Sequence, residues 1–320
     1  MATPAATLCP PTLEPSSRPA LATAAGAADF IRGTTLLFPI FGFPAAQVKA
    51  PALMNPLFAR TGIDAAVVPI EVAPADYPAM LRALLRARNV PGALVTIPHK
   101  ATTVALLDDC SDAARIAGAC NAIVHRADGT LYGDLFDGVG FVRAAERRGF
   151  SVAGTRCLVV GAGGAGAAIA AALAAAGARA VRLHDTRGAH AVALSAQLQR
   201  HFPGAAIDAG DAALAGFDLI VNATPLGMEA GDPLPVDAGQ LSPAMTVGEI
   251  VMKQEITPLL AAARARGCRT VTGREMLQEQ LPLYLDFFGL ARGSHDDPRQ
   301  PDATPSPAAQ ARPVSMEPQS

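Results

Sequence analysis

The sequence predicts an α/β protein: an N-terminal α/β domain, a second α/β domain built around a nucleotide-type turn, and a cleft between them. Three observations carry this. Apolar strand-like runs alternate with amphipathic helix-like segments along most of the chain. A Gly-x-Gly-x-x-Gly pattern stands between a buried-type strand and an alanine-rich helix in the second half. Once the two ends are set aside, about 260 residues remain, enough for two modest domains.

The ends are discounted on composition. Residues 1–29 are rich in Ala, Thr and Pro, and residues 292–320 in Pro, Ser and Gln; neither holds enough large apolar side chains to offset the entropy of ordering, so both are expected to be disordered. Charged residues make up 17% of the chain and the net charge is −2, with scattered arginines, which leaves no footprint for nucleic acid. The five cysteines show no C-x-x-C pairing and no metal-ligand spacing, so no metal is expected and a reducing compartment is. Outside the alanine-rich helix no apolar run reaches the roughly 18 residues of a membrane span. The first 29 residues lack a basic start and a compact Leu/Val/Ile stretch. A cytoplasmic protein with a small-molecule partner follows, monomeric or homodimeric.

The elements are justified in order. Thr35–Ile40 is a strand leading to the Gly42/Pro44 turn, and Ala52–Ala59 is helical with an interruption at Pro56. Ala65–Val72 reads as a strand and Tyr77–Arg88 as an amphipathic helix. Gly92–Ile97 is a buried-type strand stopped by Pro98, Ser111–Ala117 a helix, and Ala122–His125 with Leu131–Tyr132 a strand pair about Asp128-Gly129. These make a first domain over 30–136. Val139–Arg148 connects, and a second domain runs over 137–272 with strands at Asp218–Asn222, Met245–Val251 and Cys268–Val271 and a helix at Pro258–Arg266. Met276–Phe288 is a last helix, kinked or broken at Pro282, which returns to the first domain as 273–291.

The strand Cys157–Val160, the turn Gly161-Ala162-Gly163-Gly164-Ala165-Gly166, a helix to Ala176 and a second strand ending at Asp185 follow the order of parts of a dinucleotide-binding, Rossmann-type βαβ unit. Gly161 permits the tight turn, Gly163 lets the backbone approach a pyrophosphate, and Gly166 lets helix and strand pack closely; the helix N-terminus offers N–H groups to phosphate. The bland counterpart is an Ala/Gly-rich turn that binds nothing. An acidic residue at Asp185 accepts hydrogen bonds from a ribose diol and repels a 2′-phosphate, so NAD is favoured over NADP, with Arg187 leaving room for both.

Three segments of the first half bear polar groups suited to a cleft: Val95-Thr-Ile-Pro-His-Lys100, Gly118-Ala-Cys-Asn-Ala122, and Gly133-Asp-Leu-Phe-Asp-Gly138, read as two acids in a glycine-bounded turn. Taken singly, a lysine after a strand is a solvated charge and an Asp-Gly pair a turn. With the N-A-T-x-x-G-M segment at Asn222–Met228, T-P-L-L at Thr257–Leu260 and G-x-x-M-L-x-x-Q at Gly273–Gln280, they make an ordered set over about residues 33–290 that resembles the shikimate/quinate dehydrogenase family. The resemblance implies a nicotinamide-dependent oxidation of a ring hydroxyl of a cyclic polyol acid. Lys100 and Asp137 would flank the reacting hydroxyl, and Thr96, Asn121 and Gln280 would hold ring hydroxyls. Asn222, Thr224 and Gly273 would join the glycine turn on the cofactor. It also implies a place in the chorismate route to aromatic amino acids, although NAD use fits a catabolic direction better.

The departures from the family bear on substrate. Its S-x-S pair, whose hydroxyls bind the substrate carboxylate, is replaced by Val48 and Ala50; an asparagine is replaced by Leu94, and the late cleft tyrosine by Met252. Each charge-assisted bond is worth roughly 1.5–3 kcal/mol, so losing both hydroxyls without compensation would weaken shikimate binding on the order of 10²–10⁴-fold. Lys49 or Gln47 would be the compensating groups. The expectation is a retained oxidising end and a remodelled carboxylate end. The alternative from another class is a catalytically idle relative that senses a ligand or nucleotide. A folate-linked dehydrogenase is disfavoured by the G-D-x-x-D-G segment. His99, beside Lys100, is read as a cleft-wall side chain rather than an acid or base.

Overall fold

The computed structural model describes residues 31–290, so the expectations for the two tails lie outside the described residues. Two six-stranded sheets form the body. The first contains β1 (Leu36–Gly42), β2 (Ala65–Glu71), β3 (Gly92–Val95), β4 (Asp109–Cys110), β5 (Ala122–His125) and β6 (Leu131–Asp134), in the order β2-β1-β3-β5-β6-β4. Its first three strands are parallel, β3/β5 and β5/β6 antiparallel. The helices among them are α1 (Ala50–Thr61), α2 (Tyr77–Leu84), α3 (Lys100–Val104) and α4 (Asp112–Ala117). α5 (Asp137–Arg147) leads into the second sheet.

That sheet holds β7 (Arg156–Val160), β8 (Ala180–His184), β9 (Ala206–Ala209), β10 (Leu219–Asn222), β11 (Thr246–Glu249) and β12 (Arg269–Val271), with α6 (Gly164–Ala175), α7 (Gly188–His201) and α8 (Pro258–Ala265) as crossovers. All pairs are parallel and the order is β12-β11-β10-β7-β8-β9. Read from the other edge this is the doubly wound order 3-2-1-4-5-6, whose ligand crevice opens where the order reverses, here between β7 and β10. The near-continuous apolar strands match burial on both faces: Cys157, Leu158, Val159, Leu219, Ile220 and Val221 have no solvent exposure.

α9 (Gly273–Phe287) starts with a capping box in which Thr272 and Glu275 exchange hydrogen bonds. It leaves the second sheet and, with Phe288 at its C-cap, lays Leu277 and Tyr284 into the core of the first, against Phe38, Ala50, Met54 and Leu94.

The expected interruption at Pro56 and the expected break at Pro282 are corrected. α1 runs unbroken through Pro56 and α9 through Pro282. Both prolines are exposed, so the carbonyls left without an N–H partner lie on the solvent side of their helices. Two further elements, α7 and β9, complete the doubly wound half and have no counterpart in the sequence reading.

Candidate active site in the cleft

A cleft of about 660 Å³ is lined from both halves: by the turn before α1, the ends of β3 and β10, the start of α3, the glycine turn after β7, and α9. Its polar centre is built from four segments far apart in sequence. Lys100 opens α3 just beyond the end of β3, and its Nζ donates to Asp137 Oδ2 at 2.5 Å. Asp137 is the first residue of α5, and its side chain is only 5% exposed. Its second oxygen accepts from Asn121 Nδ2 at 3.1 Å and Gln280 Nε2 at 3.5 Å. Asn121 is oriented by Phe136, whose N–H donates to Asn121 Oδ1 at 3.1 Å. Gln280 Oε1 accepts from Tyr284 Oη at 2.6 Å and from Asn121 Nδ2 at 3.4 Å.

The carboxylate of Asp137 thus takes three side-chain donors, and each carboxamide is pinned at both ends. Such a network keeps Lys100 aimed into the cleft, where it retains 21% side-chain exposure. Thr96 is half-buried and lines the same space from just past the end of β3.

Tyr284 was not anticipated. Burial, reinforced by the Asp137 charge, raises its phenol well above the ordinary value, so it serves as a donor. The signal was present: Tyr284 stands four residues after Gln280, one helical turn away on the same face.

The other acid of the G-D-x-x-D-G segment does something else. Asp134 accepts from Ser111 Oγ and from the Leu135 N–H, bracing α4 against β6. Burial raises its carboxyl above the usual range. The glycine-bounded turn is also corrected: Gly138 lies inside α5, because a Cβ there would meet the Ala168 carbonyl oxygen at 2.1 Å. Close approach of α5 to α6, not a turn, requires the glycine. His99 is corrected from wall to core: it is buried, stacks on Tyr77 at 4.2 Å and bonds the Val72 carbonyl through Nε2. Burial lowers its pKa and keeps it out of the cleft chemistry.

The glycine turn follows β7 and precedes α6. Gly161 has φ of 107°, and a Cβ on Gly166 would strike the Gly161 carbonyl oxygen at 1.9 Å. A Cβ on Gly163 would meet nothing within 4 Å, leaving an open backbone at the head of α6. Gly161, Gly163, Gly164, Ala165 and Thr224 line the cleft. Ala162 donates its N–H to Asp185 Oδ2 at 2.8 Å, and the other Asp185 oxygen accepts the Arg187 N–H at 2.8 Å.

Burial works to raise the Asp185 carboxyl, but these N–H groups and the Arg187 guanidinium outweigh it and hold the group below the usual carboxylate range. An ionised carboxylate therefore faces the cleft at the end of β8. These parts fit a dinucleotide: an open N–H cradle at a helix start and a hydrogen-bond acceptor one strand away.

Two other sequence candidates stand behind the lining. Asn222 receives no cleft surface; it donates to Glu249 at 3.0 and 3.1 Å and accepts from Thr224, holding the segment after β10. Gly273 packs under the Ile250 backbone, where a Cβ would meet the carbonyl oxygen at 2.6 Å.

Val48, Ala50, Leu94 and Met252 all line the cleft. They belong to one apolar cluster with Ile40 and Leu277. Leu94 is the register partner of Ile40 on the neighbouring strand.

Among the described residues no group of His, Cys, Asp and Glu is suited to hold a metal, and no helix is long and apolar enough to cross a membrane.

Comparison with known proteins points to one family. A profile of the shikimate dehydrogenase substrate binding domain matches residues 40–123. A shikimate dehydrogenase (NADP(+)) of Acidiphilium cryptum is 41% identical over 262 residues, covering 81% of this chain and 93% of the relative. A solved shikimate dehydrogenase in complex with NADP+ superposes with a TM-score of 0.74 at 27% identity, over 80% of this chain and 90% of the other. A 5-ketofructose reductase of a Gluconobacter strain has a TM-score of 0.71 at 28% identity, over 79% of this chain and 92% of the other. A quinate dehydrogenase of Corynebacterium glutamicum in complex with NAD has a TM-score of 0.71 at 29% identity, over 82% and 96%.

Proposed function

Because the chain belongs to the shikimate dehydrogenase family, we propose that it is a nicotinamide-dependent dehydrogenase that reversibly oxidises a secondary ring hydroxyl of a shikimate- or quinate-like substrate to a ketone. The observation that carries the reading is the convergence of Lys100, Asp137, Asn121 and Gln280 at one end of a cleft whose other half is a dinucleotide turn. Nothing observed favours the idle, ligand-sensing alternative.

When bound, the nicotinamide supplies the acceptor for the hydride that leaves the carbinol carbon. The residues of this chain supply the rest. The Lys100 amino group accepts the hydroxyl proton as the C–O bond becomes a carbonyl, and it returns that proton in the reverse direction. Asp137 holds the amine in place and stabilises the ammonium that forms, while Asn121 and Gln280 fix Asp137 and present their remaining hydrogen-bonding capacity to neighbouring hydroxyls. Thr96 lies on the same wall and serves the same purpose.

The cofactor is held by Gly161, Gly163, Gly164 and Ala165 at the start of α6, with Thr224 across the crevice. NAD is preferred on our reading. The support is the ionised Asp185, which binds a ribose diol and repels a 2′-phosphate, although the curated relatives are named for NADP(+). One solved neighbour is named for 5-ketofructose, a sugar without a carboxylate, so relatives of this fold are not confined to acids. We place the domain limits at 30–136 and 137–272, with 273–291 returning, on the strength of the separate sheets and of α9 packing into the first.

The test is reduced-cofactor absorbance with NAD and NADP against shikimate, quinate and a panel of cyclic polyols. Turnover that falls on the order of 10²–10⁴-fold in Lys100→Ala, with cofactor affinity unchanged, is expected. Cofactor binding without turnover on any member would refute the enzyme reading.

A further inference from the structure

We propose, resting on the dehydrogenase reading above, that the preferred substrate is an uncharged ring alcohol whose end opposite the reacting hydroxyl carries an apolar substituent rather than a carboxylate. The cleft lining has two chemically distinct parts. Hydrogen-bonding side chains converge at one: Lys100, Asp137, Asn121, Gln280, Tyr284 and Thr96. The other part is Ile40, Val48, Ala50, Leu94, Met252 and Leu277, the cleft-lining members of one apolar cluster. None of those six side chains bears a donor.

Charge leads to the same conclusion. Lys100 is already held by Asp137, so it is not a free partner for a substrate carboxylate. Lys253 is engaged by Glu229 at 2.6 Å, and Arg187 lies beside Asp185 on the nucleotide side. Lys49 and Gln47 line the rim, with Lys49 exposed to solvent, where a charged pair is screened and weak. The start of α1 offers backbone N–H groups toward this end, but Pro51 at its second position removes one of them. A buried carboxylate against this wall would give up water without gaining a charge partner, whereas an alkyl group or ester would complete the packing. Four side chains on three separate segments, Val48 and Ala50 before and at the start of α1, Leu94 in β3 and Met252 after β11, form this one surface, so the apolar character does not hang on a single replacement.

The experiment uses the full chain with NAD and a matched pair, shikimate and methyl shikimate, which share the ring and hydroxyls and differ in the carboxylate. The expected result is a kcat/KM for the ester at least about 10-fold, and up to on the order of 10²-fold, above that for the acid. Val48→Ser/Ala50→Ser, which restores two hydroxyls at that end, should move the ratio toward the acid, with NAD affinity unchanged. Preference of the wild-type chain for shikimate over its ester overturns the inference and leaves the dehydrogenase reading standing. If Lys49→Ala then abolishes that preference, the rim lysine is the carboxylate anchor. Oxidation of neither compound, nor of any neutral ring diol, with NAD still bound, overturns both readings.

Discussion

Asp185→Asn tests the cofactor reading with the least disturbance to the fold. In the wild type the carboxylate is 9% exposed and ionised at the end of β8, its two oxygens taking the N–H groups of Ala162 and Arg187. Asparagine keeps the size and one of the two acceptors and removes the charge. A 2′-phosphate carries about −1.5 to −2 charges. At an effective dielectric of about 20–40 and a separation of roughly 6 Å, each unit-charge pair repels by about 1.4–2.8 kcal/mol. The nearby Arg187 and the open side of the cleft reduce this, leaving about 1–3 kcal/mol, a factor on the order of 10–100. Losing one loop hydrogen bond weakens both cofactors, by about 1 kcal/mol, and cancels in their ratio. The assay is therefore the quotient of kcat/KM for NADP and for NAD at saturating second substrate, measured at two salt concentrations, since a charge effect shrinks with screening. A rise of 10–100-fold in that quotient is expected. A wild-type chain that already prefers NADP, or a quotient unchanged within about twofold, would refute the reasoning.

Three other outcomes follow from particular contacts. Tyr284→Phe removes the 2.6 Å donor to Gln280 Oε1, leaving only Asn121 at 3.4 Å; kcat should fall about 3–10-fold with KM for NAD unchanged, and an effect confined to thermal stability would make the tyrosine structural only. Gly138→Ala forces a Cβ toward the Ala168 carbonyl oxygen, at 2.1 Å without relaxation; overpacking of about 2–3 kcal/mol corresponds to a Tm loss of roughly 4–12 °C by calorimetry, and an unchanged Tm would mean the helices separate freely. Burial raises the Glu249 carboxyl above its ordinary value of 4.5 despite bonds from Val251, Asn222 and Thr257. The folded state then holds more protons than the unfolded one above that value, so this group's contribution to stability declines as pH rises through the window. Glu249→Gln should thus gain relative to wild type as denaturant titrations move from pH 4.5 upward, and a difference independent of pH would show that Glu249 carries no such penalty.

The nucleotide turn was legible because its signals are local. A strand, a glycine turn, a helix and a spaced acid fall within 30 residues, and the backbone geometry of Gly161 and Gly166 follows from that order alone. The reacting end was not legible in this way. Lys100 and Asp137 lie 37 positions apart, and Gln280 lies 143 beyond Asp137. No periodicity links such positions, so their meeting rested on resemblance until the fold placed them together. The misread prolines and His99 share one cause: a propensity or a neighbouring residue was given weight, while burial and the side of the helix decided the outcome.

α5 is where the two kinds of information meet, and its glycines explain how. It begins with Asp137, and the next residue, Gly138, lets the helix touch the α6 backbone at Ala168, behind the cofactor turn. Two residues on, Gly140 leaves room for the Gln280 side chain and the Met276 carbonyl of α9, with a hypothetical Cβ only 2.6 and 2.7 Å from them. A side chain at either position would push α5 off one neighbour. Displacement from α9 would stretch the Gln280–Asp137 contact, already 3.5 Å, beyond hydrogen-bonding range. Displacement from α6 would move Asp137, and with it Lys100, relative to the glycine turn. The geometry between Lys100 and the nucleotide crevice is therefore fixed by the first turn of a single helix, packed on both sides through residues whose contribution is the absence of a side chain.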